Sequence, residues 1–266
     1  MYEFDSWQFL AENLKQRGYC VYQFRYGMIP GFPGIGGLTD IQDSAHQLGD
    51  YVDKVLASTT ASKVDLVGHS EGTVVSRWYA KFLDNQKVRS VVSVSPIGQG
   101  TTIQGLLGFS KLVGWYDILA NAVHGLCAAC TQLLEGSDLL SQLYYTKAGS
   151  AEYGSGSDLV PHVQYLSILT NQDQLVTPYT NGLLSIPEAP KGDESTASST
   201  SRMELDPVYS SKNLVLEDYC GMDPEHSNHF GLFQSPFALN AIDAFLTPPS
   251  QGQGDSGRPN ENWACS

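Results

Sequence analysis

The stretch from Val64 to Gly72, which reads VDLVGHSEG, constrains the fold of this chain more than any other. An apolar run rich in β-branched residues ends in the pattern G-x-S-x-G, and apolar residues at helical spacing follow at once. The pattern predicts a strand, a sharp turn and a helix. Backbone segments pass close together in such a turn, so side chains at Gly68 and Gly72 would obstruct it. An ordinary glycine-bounded turn is the alternative interpretation.

Ser70 is the candidate nucleophile, because a strained turn of this kind holds its hydroxyl above the edge of a sheet. A serine hydroxyl is a weak nucleophile at neutral pH and needs a base within hydrogen-bond distance, which an acidic residue orients. The backbone N–H of Glu71, at the start of the predicted helix, is in position to donate to a developing oxyanion. The acid and the base must come from other loops at the same sheet edge.

Asp173 and His229 are the candidate acid and base. Each follows a predicted strand, and the chain order serine, aspartate, histidine resembles that of α/β-hydrolases. Asp173 alone is also typical of an ordinary loop turn. His226 is the alternative base, but it lies earlier in its loop beside acidic residues, whereas His229 lies nearer the return of the chain to the sheet edge. His69 is expected to point away from the base position.

The rest of the chain alternates predicted helices and strands, and this alternation predicts an α/β fold with a mostly parallel sheet and helices on both faces. The predicted strands cover residues 19–24, 64–67, 88–94, 163–169 and 213–216. Helices are predicted to begin at Asp5 or Ser6, at Thr39 through a capping box with Gln42, behind the serine turn, and at Pro236.

One domain is predicted over residues 1–246, followed by a flexible tail rich in Gly and Pro at 247–266. An apolar segment at about 101–150 interrupts the alternation directly after a strand. We interpret it as a helical cap or lid over an apolar pocket, with core helices packed on the sheet as the alternative. Residues 188–207, rich in Ser, Thr, Gly and Glu, are predicted to form a surface excursion.

The charge of the chain limits the classes of partner. Its 28 acidic and 15 basic residues give a net charge of −13, and no cluster of Lys or Arg stands out. Nucleic acids and anionic membrane surfaces are therefore poor candidates. No apolar run is long enough for a transmembrane segment, and the first residues lack the pattern of a signal peptide. No metal-binding spacing occurs, and the chemistry expected at Ser70 needs neither a metal nor a cofactor.

The five cysteines are too few for a disulfide scaffold and too scattered for a zinc site built of paired C-x-x-C units. They are Cys20, Cys127, Cys130, Cys220 and Cys265. One or two structural disulfides are expected. The C-x-x-C spacing at 127–130 also occurs in redox motifs, but the helical apolar context without a preceding strand disfavours that interpretation.

Several stretches resemble the bacterial-type class 2 triacylglycerol lipases of the α/β-hydrolase fold. They are residues 17–21, 63–70, 127–130, 173–179, 218–220 and 229–232. The resemblance implies secretion and the hydrolysis of carboxylic esters, typically acylglycerols, with Ser70, Asp173 and His229 at the triad positions of the family. It also implies a lipid or ester substrate and transient contact with a lipid interface.

The chain departs from the family pattern in two places. Glu71 stands where the family usually has Gln, and its carboxylate opposes negative charge near the nucleophile. Related sequences also carry, before the first helix, an apolar strand that ends in a His-Gly motif and supplies a second oxyanion N–H. This strand would lie between residues 19–24 and 64–67. We therefore expect the reading frame to be a truncated gene model whose upstream DNA encodes a signal peptide, this strand and the His-Gly motif.

These observations leave three functions open. The leading one is a secreted lipase that forms an acyl-enzyme on Ser70. The second is a short-chain carboxylesterase or polyester hydrolase. The third is an inactive hydrolase-fold binding protein, because loss of one oxyanion donor lowers the rate by about 10²- to 10³-fold.

Overall fold

A four-stranded parallel sheet forms the centre of the molecule. The structure, a computed structural model, describes residues 3–28, 36–105, 127–145, 158–184, 210–247 and 265. The strands are β1 (Val64–His69), β2 (Val88–Val94), β3 (Gln164–Leu169) and β4 (Ser210–Val215), and they lie side by side in chain order. Because all four strands run in the same direction, their carboxyl ends meet at one edge of the sheet.

Helices lie before β1, between β1 and β2, between β2 and β3 and after β4, as the alternation in the sequence predicts. They are α1 (Glu3–Gln16), α2 (Ile41–Ser58), α3 (Glu71–Trp78), α4 (Ala128–Gln132), α5 (Asp138–Tyr145), α6 (Leu216–Cys220) and α7 (Pro236–Leu246). A π-helical turn, Tyr79–Leu83, continues α3, and short 3₁₀ turns cover Tyr179–Gly182 and Leu232–Gln234. The helix predicted to open at Pro236 is confirmed, with the Ser235 side chain capping its first turn.

The sheet carries an apolar core on each face. Side chains alternate across a strand, and in β2 Val91 belongs to one core while Val92 belongs to the other. Residues of α2, α3, α4 and α5 fill the first core, and residues of α1 and α7 fill the second. The predicted arrangement of helices on both faces of a parallel sheet is therefore confirmed.

The prediction of a strand at residues 19–24 is wrong. This segment has no regular secondary structure. A strand needs a neighbouring strand to pair its backbone groups, and no strand of the described residues lies beside this segment. Side chains anchor it instead: the Tyr51 hydroxyl donates to the Gln23 carbonyl oxygen at 2.9 Å, and the Phe24 ring stacks on Tyr51 with centroids 4.8 Å apart. β1 is consequently the edge strand of the described sheet.

The start of α2 differs from the prediction by one residue. Asp40, not Thr39, is the N-cap, and its carboxylate accepts hydrogen bonds from the backbone N–H groups of Gln42 and Asp43. The second carboxylate oxygen of Asp40 accepts from the Gln132 side chain, which also accepts from the Ile41 N–H. A residue 92 positions away thus contacts the start of this helix.

The predicted cap segment lies only partly within the described residues. Its described portion includes α4 and α5, which contribute Leu139, Leu140 and Leu143 to the core beside α3. Residues 106–126 and 146–150 lie outside the described residues, so the lid remains a prediction, as do the domain limits. The predicted excursion at 188–207 also lies outside them, as does the predicted tail apart from residues 247 and 265.

Two disulfides agree with the expectation from the cysteine count. Cys127 pairs with Cys130 at the start of α4, and Cys220 at the end of α6 pairs with Cys265. Cys20 is exposed and takes part in neither bond.

A buried ion pair links α3 to the far side of the first core. The Arg77 guanidinium donates to the Asp158 carboxylate at 2.8 Å, and the two side chains are 1% and 0% exposed. Arg77 also donates to the Ser167 hydroxyl of β3 at 3.2 Å. An uncompensated charge at this depth is costly, because burial removes it from the water that solvates an exposed charge.

We expect Asp158→Asn to lower the free energy of unfolding by about 3–5 kcal/mol, because it leaves the Arg77 charge buried and unpaired. The matched control is Asp53→Asn, which removes the exposed ion pair with Lys87 and should cost less than about 1 kcal/mol. Urea denaturation followed by circular dichroism measures both values. Equal losses in the two variants would contradict the role assigned to the buried pair.

Candidate active site

Ser70 sits in a sharp turn between β1 and α3, as the sequence predicts. Its backbone has φ 54° and ψ −122°, a left-handed conformation that is rare outside glycine. A Cβ atom added to Gly68 would lie 2.6 Å from the Gly72 carbonyl oxygen, so this close approach excludes any side chain at Gly68. The obstruction at Gly72 is weaker than predicted: outside the helix itself, an added Cβ would meet only the Tyr26 hydroxyl, at 3.3 Å.

The structure brings Ser70, Asp173 and His229 together. The distance from His229 Nε2 to Ser70 Oγ is 2.9 Å, and the distance from His229 Nδ1 to Asp173 Oδ2 is 2.7 Å. A carboxylate only accepts hydrogen bonds, so Nδ1 carries the proton and the Nε2 lone pair of the neutral ring faces the serine hydroxyl. This is the tautomer that a general base at Nε2 requires.

The three side chains differ in how much of their surface is exposed. The His229 and Asp173 side chains are 2% and 4% exposed, whereas Ser70 is only partly buried. The acid–base pair is therefore shielded from water, which strengthens its electrostatic interaction. The hydroxyl remains reachable from outside.

The loop after β3 orients the Asp173 carboxylate. Its Oδ1 accepts from the backbone N–H groups of Leu175 and Val176 at 2.8 and 2.9 Å, which turns Oδ2 toward the imidazole. The base of the same loop is held by Glu217 on α6, whose carboxylate accepts from the Thr170 hydroxyl at 2.5 Å and from the Asn171 N–H at 2.9 Å. Sequence reasoning missed Glu217, because nothing in its local pattern marks a contact with a distant loop.

His226 is not part of this group. Its Nδ1 lies 2.6 Å from Asp223 Oδ2 in a partly exposed pair three residues apart. The hydrogen bond from His226 lowers the pKa of Asp223. Of the two histidines weighed from the sequence, only His229 lies within hydrogen-bond distance of Ser70.

The expectation that His69 points away from the base is wrong. Its ring lies beside that of His229, with centroids 4.9 Å apart, and its Nε2 donates to the His229 carbonyl oxygen at 2.8 Å. The Ser95 hydroxyl donates to the same oxygen at 3.0 Å. Burial of the imidazole, with a smaller contribution from His229, lowers the pKa of His69 to about 3, so the ring is neutral at ordinary pH.

Glu71 is the first residue of α3, and the N–H groups of a first helical turn have no acceptor within the helix. The oxyanion-binding role of its N–H remains a prediction. The Glu71 side chain is directed at the loop before α2: a Cβ atom added to Gly37 would lie 3.0 Å from each carboxylate oxygen. The carboxylate thus lies against backbone that adopts a positive φ of 73°.

The described residues contain neither a metal site nor a membrane-spanning helix. No group of three or more His, Cys, Asp or Glu side chains there is arranged to hold a metal ion. None of the described helices is long and apolar enough to cross a membrane.

The sequence is similar to curated triacylglycerol lipases over a limited stretch. It is 34% identical over 97 residues to a triacylglycerol lipase of Pseudarthrobacter phenanthrenivorans, a match covering 36% of this chain and 28% of that protein. A triacylglycerol lipase of Burkholderia plantarii matches at the same identity and length, over 25% of its own sequence. The matched stretch thus spans little more than a quarter of these relatives. No family model matches the chain.

The fold extends the similarity to most of the chain. Lipase B of Aspergillus fumigatus superposes with a TM-score of 0.55 and 19% identity, covering 86% of this chain and 47% of that one. At this identity the match speaks for the fold alone. It confirms the predicted α/β-hydrolase fold, and the curated matches confirm the resemblance to triacylglycerol lipases.

We expect Gly68→Ala to destabilise the chain by about 3 kcal/mol, because the added Cβ would collide with backbone that has no room to move. Gly72→Ala is the matched control. It should change the free energy of unfolding by less than about 1 kcal/mol, since the Tyr26 hydroxyl is the far end of a side chain. Thermal unfolding measures both. A Gly68 variant as stable as the Gly72 variant would contradict the close approach.

Proposed function

We propose that this chain, an α/β-hydrolase related to lipases and esterases, is a serine carboxylic-ester hydrolase that cleaves acylglycerols. The observation that carries the proposal is the continuous pair of hydrogen bonds from Asp173 through His229 to the Ser70 hydroxyl. Structural ion pairs are common in proteins, but a buried aspartate–histidine pair that ends on a serine in a strained turn has no evident packing purpose.

The geometry supports an acyl-enzyme mechanism. Ser70 Oγ attacks the ester carbonyl carbon while His229 Nε2 takes the hydroxyl proton, and Asp173 stabilises the imidazolium that results. The tetrahedral oxyanion accepts a hydrogen bond from the Glu71 N–H. Collapse of this intermediate expels the alcohol, which takes its proton from His229. Water, deprotonated by His229, then attacks the acyl group and releases the carboxylic acid, which restores Ser70.

The choice of acylglycerols rests on the curated relatives, which are triacylglycerol lipases. The apolar segment at 101–150 is proposed to act as a cap that accepts an acyl chain. The negative charge of Glu71, the residue directly after the nucleophile, is expected to lower the rate modestly relative to a neutral side chain. No cofactor or metal takes part in this mechanism.

We also propose that the protein acts outside the cell. Two disulfides join Cys127 to Cys130 and Cys220 to Cys265, and such bonds persist in oxidising compartments. A lipid or ester substrate met at an interface fits this location.

We expect a fluorescent fluorophosphonate to label the chain covalently and Ser70→Ala to abolish both labelling and ester hydrolysis. Fluorophosphonates react with a serine whose hydroxyl has been activated by a base, and removal of one triad member lowers kcat by about 10⁴- to 10⁶-fold. Ser76→Ala, which removes the hydroxyl of a buried serine in α3, the helix that follows Ser70, is the control for effects on folding. A folded wild-type chain that neither reacts nor hydrolyses would support the inactive binding protein instead.

We expect hydrolysis of p-nitrophenyl esters to be faster with long acyl chains than with acetate or butyrate, because each additional buried CH₂ adds about 0.8 kcal/mol of binding. Rates measured from C2 to C16 at equal, submicellar concentrations test this. A maximum at C2 to C4 with loss of activity beyond C8 would favour the short-chain carboxylesterase and overturn the lipase proposal.

A further inference from the structure

We propose that His69 and Ser95 are positioning residues that hold the general base in place by its main-chain carbonyl group. The inference rests on the proposed function and adds to it two side chains that act through the main chain of His229. Their common target is the His229 carbonyl oxygen, which accepts from His69 Nε2 at 2.8 Å and from Ser95 Oγ at 3.0 Å.

The sheet brings the two donors to the same point. His69 is the last residue of β1, and Ser95 follows the last residue of β2. The register pairs His69 with Val94, so the neighbouring strands deliver both side chains to one edge of the sheet. The loop that carries His229 meets the sheet there. The position of the base is thereby tied to β1, which leads into the nucleophile, and to its neighbour β2, rather than to its own loop alone.

Two donors on one carbonyl oxygen fix both its position and its direction. A carbonyl oxygen has two lone pairs and can accept two hydrogen bonds, and here it accepts one from His69 and one from Ser95. His229 and Ser95 are each 1% exposed, so water has little access to replace either donor. The imidazole is attached to this fixed backbone and moves with it. A displacement of about 1 Å at a catalytic group can lower the rate by about 10²-fold.

The chemistry of each donor fits this purpose. A carbonyl oxygen only accepts, so His69 Nε2 must carry a proton, and its low pKa leaves the ring uncharged. A neutral ring 4.9 Å from His229 does not repel the imidazolium that forms during catalysis. The backbone of Ser95 has φ 45°, and this conformation places the hydroxyl for its hydrogen bond. The left-handed conformation costs a non-glycine residue about 1 kcal/mol or more.

His69 also packs against aromatic side chains, which offers a purely structural explanation. Its ring centroid lies 4.5 Å from that of Phe233 and 5.8 Å from that of Phe230. Two substitutions separate the explanations. His69→Phe keeps an aromatic ring and loses the donor. His69→Gln loses the ring and keeps an N–H donor at a similar distance from the main chain.

The first experiment compares kcat and KM for p-nitrophenyl ester hydrolysis by the wild-type chain and its variants. We expect His69→Phe and Ser95→Ala each to lower kcat by about 3- to 12-fold, the value of one hydrogen bond, with KM changed less than about 2-fold. His69→Gln should recover most of the loss. The double variant His69→Phe/Ser95→Ala should lose more than the product of the two single losses, because the remaining donor in each single variant still holds the carbonyl group.

The second measurement needs no activity. The Nδ1 proton that His229 shares with Asp173 is observable by proton NMR as a downfield resonance when it exchanges slowly with water. We expect this resonance to persist in His69→Gln and to broaden or exchange faster in His69→Phe and in the double variant. Circular dichroism confirms that each variant is folded before its kcat and its Nδ1 resonance are compared with those of the wild-type chain.

The outcomes separate the two proposals. If His69→Phe matches the wild-type chain in kcat and in the Nδ1 resonance while His69→Gln is impaired, His69 is a packing residue and the positioning inference is overturned. If the wild-type chain hydrolyses no ester but the resonance follows the expected order, the proposed function fails while the hold on the His229 backbone stands.

Discussion

The hydrogen bond between the Asp173 carboxylate and the Nδ1–H of His229 is the interaction on which the site depends. It lies in nearly water-free surroundings, where an acceptor without its donor would be costly. The bond selects one tautomer and thereby directs the Nε2 lone pair toward Ser70. Two backbone N–H groups on the other carboxylate oxygen keep the aspartate from turning away. The serine, which is the most accessible of the three, is the end point of this arrangement.

The parallel sheet makes this arrangement possible for residues far apart in the chain. Ser70 directly follows β1, Asp173 lies in the loop after β3, and His229 lies between β4 and α7. In a parallel sheet the carboxyl ends of the strands meet at one edge, where open α/β folds hold their ligands. Between the strands of the serine and the aspartate runs β2, whose end supplies Ser95 to the same edge. The strand that contributes no member of the triad therefore still takes part in fixing the base.

Local patterns in the sequence predict the serine turn, its strand and helix, and the helix that opens at Pro236. These features depend on residues within one turn or one strand: Gly68 faces the backbone four residues on, and Ser235 caps its own helix. The order of Ser70, Asp173 and His229 is readable for a similar reason, because each follows a recognisable strand.

The features that the sequence did not predict depend on distant partners. Residues 19–24 have the composition of a strand, but a strand forms only beside another. The N-cap of α2 is Asp40, whose carboxylate also accepts a hydrogen bond from Gln132, far away in the chain. His69 donates a hydrogen bond to a main-chain carbonyl group 160 residues away. Every residue has such a carbonyl group, so the sequence does not show which one accepts the bond. Glu217 was not predicted for the same reason, since one of its two hydrogen bonds to the loop comes from a backbone N–H.

We propose that Asp173, His229 and Ser70 work as one unit that makes the serine hydroxyl a nucleophile beside the Glu71 N–H. The most direct measurement is a crystal structure of the chain after reaction with a p-nitrophenyl alkylphosphonate. We expect phosphorus bonded to Ser70 Oγ, with a non-bridging oxygen about 2.7–3.1 Å from the Glu71 nitrogen and His229 still in contact with Asp173. An unmodified Ser70, or phosphorus on another side chain, would contradict it.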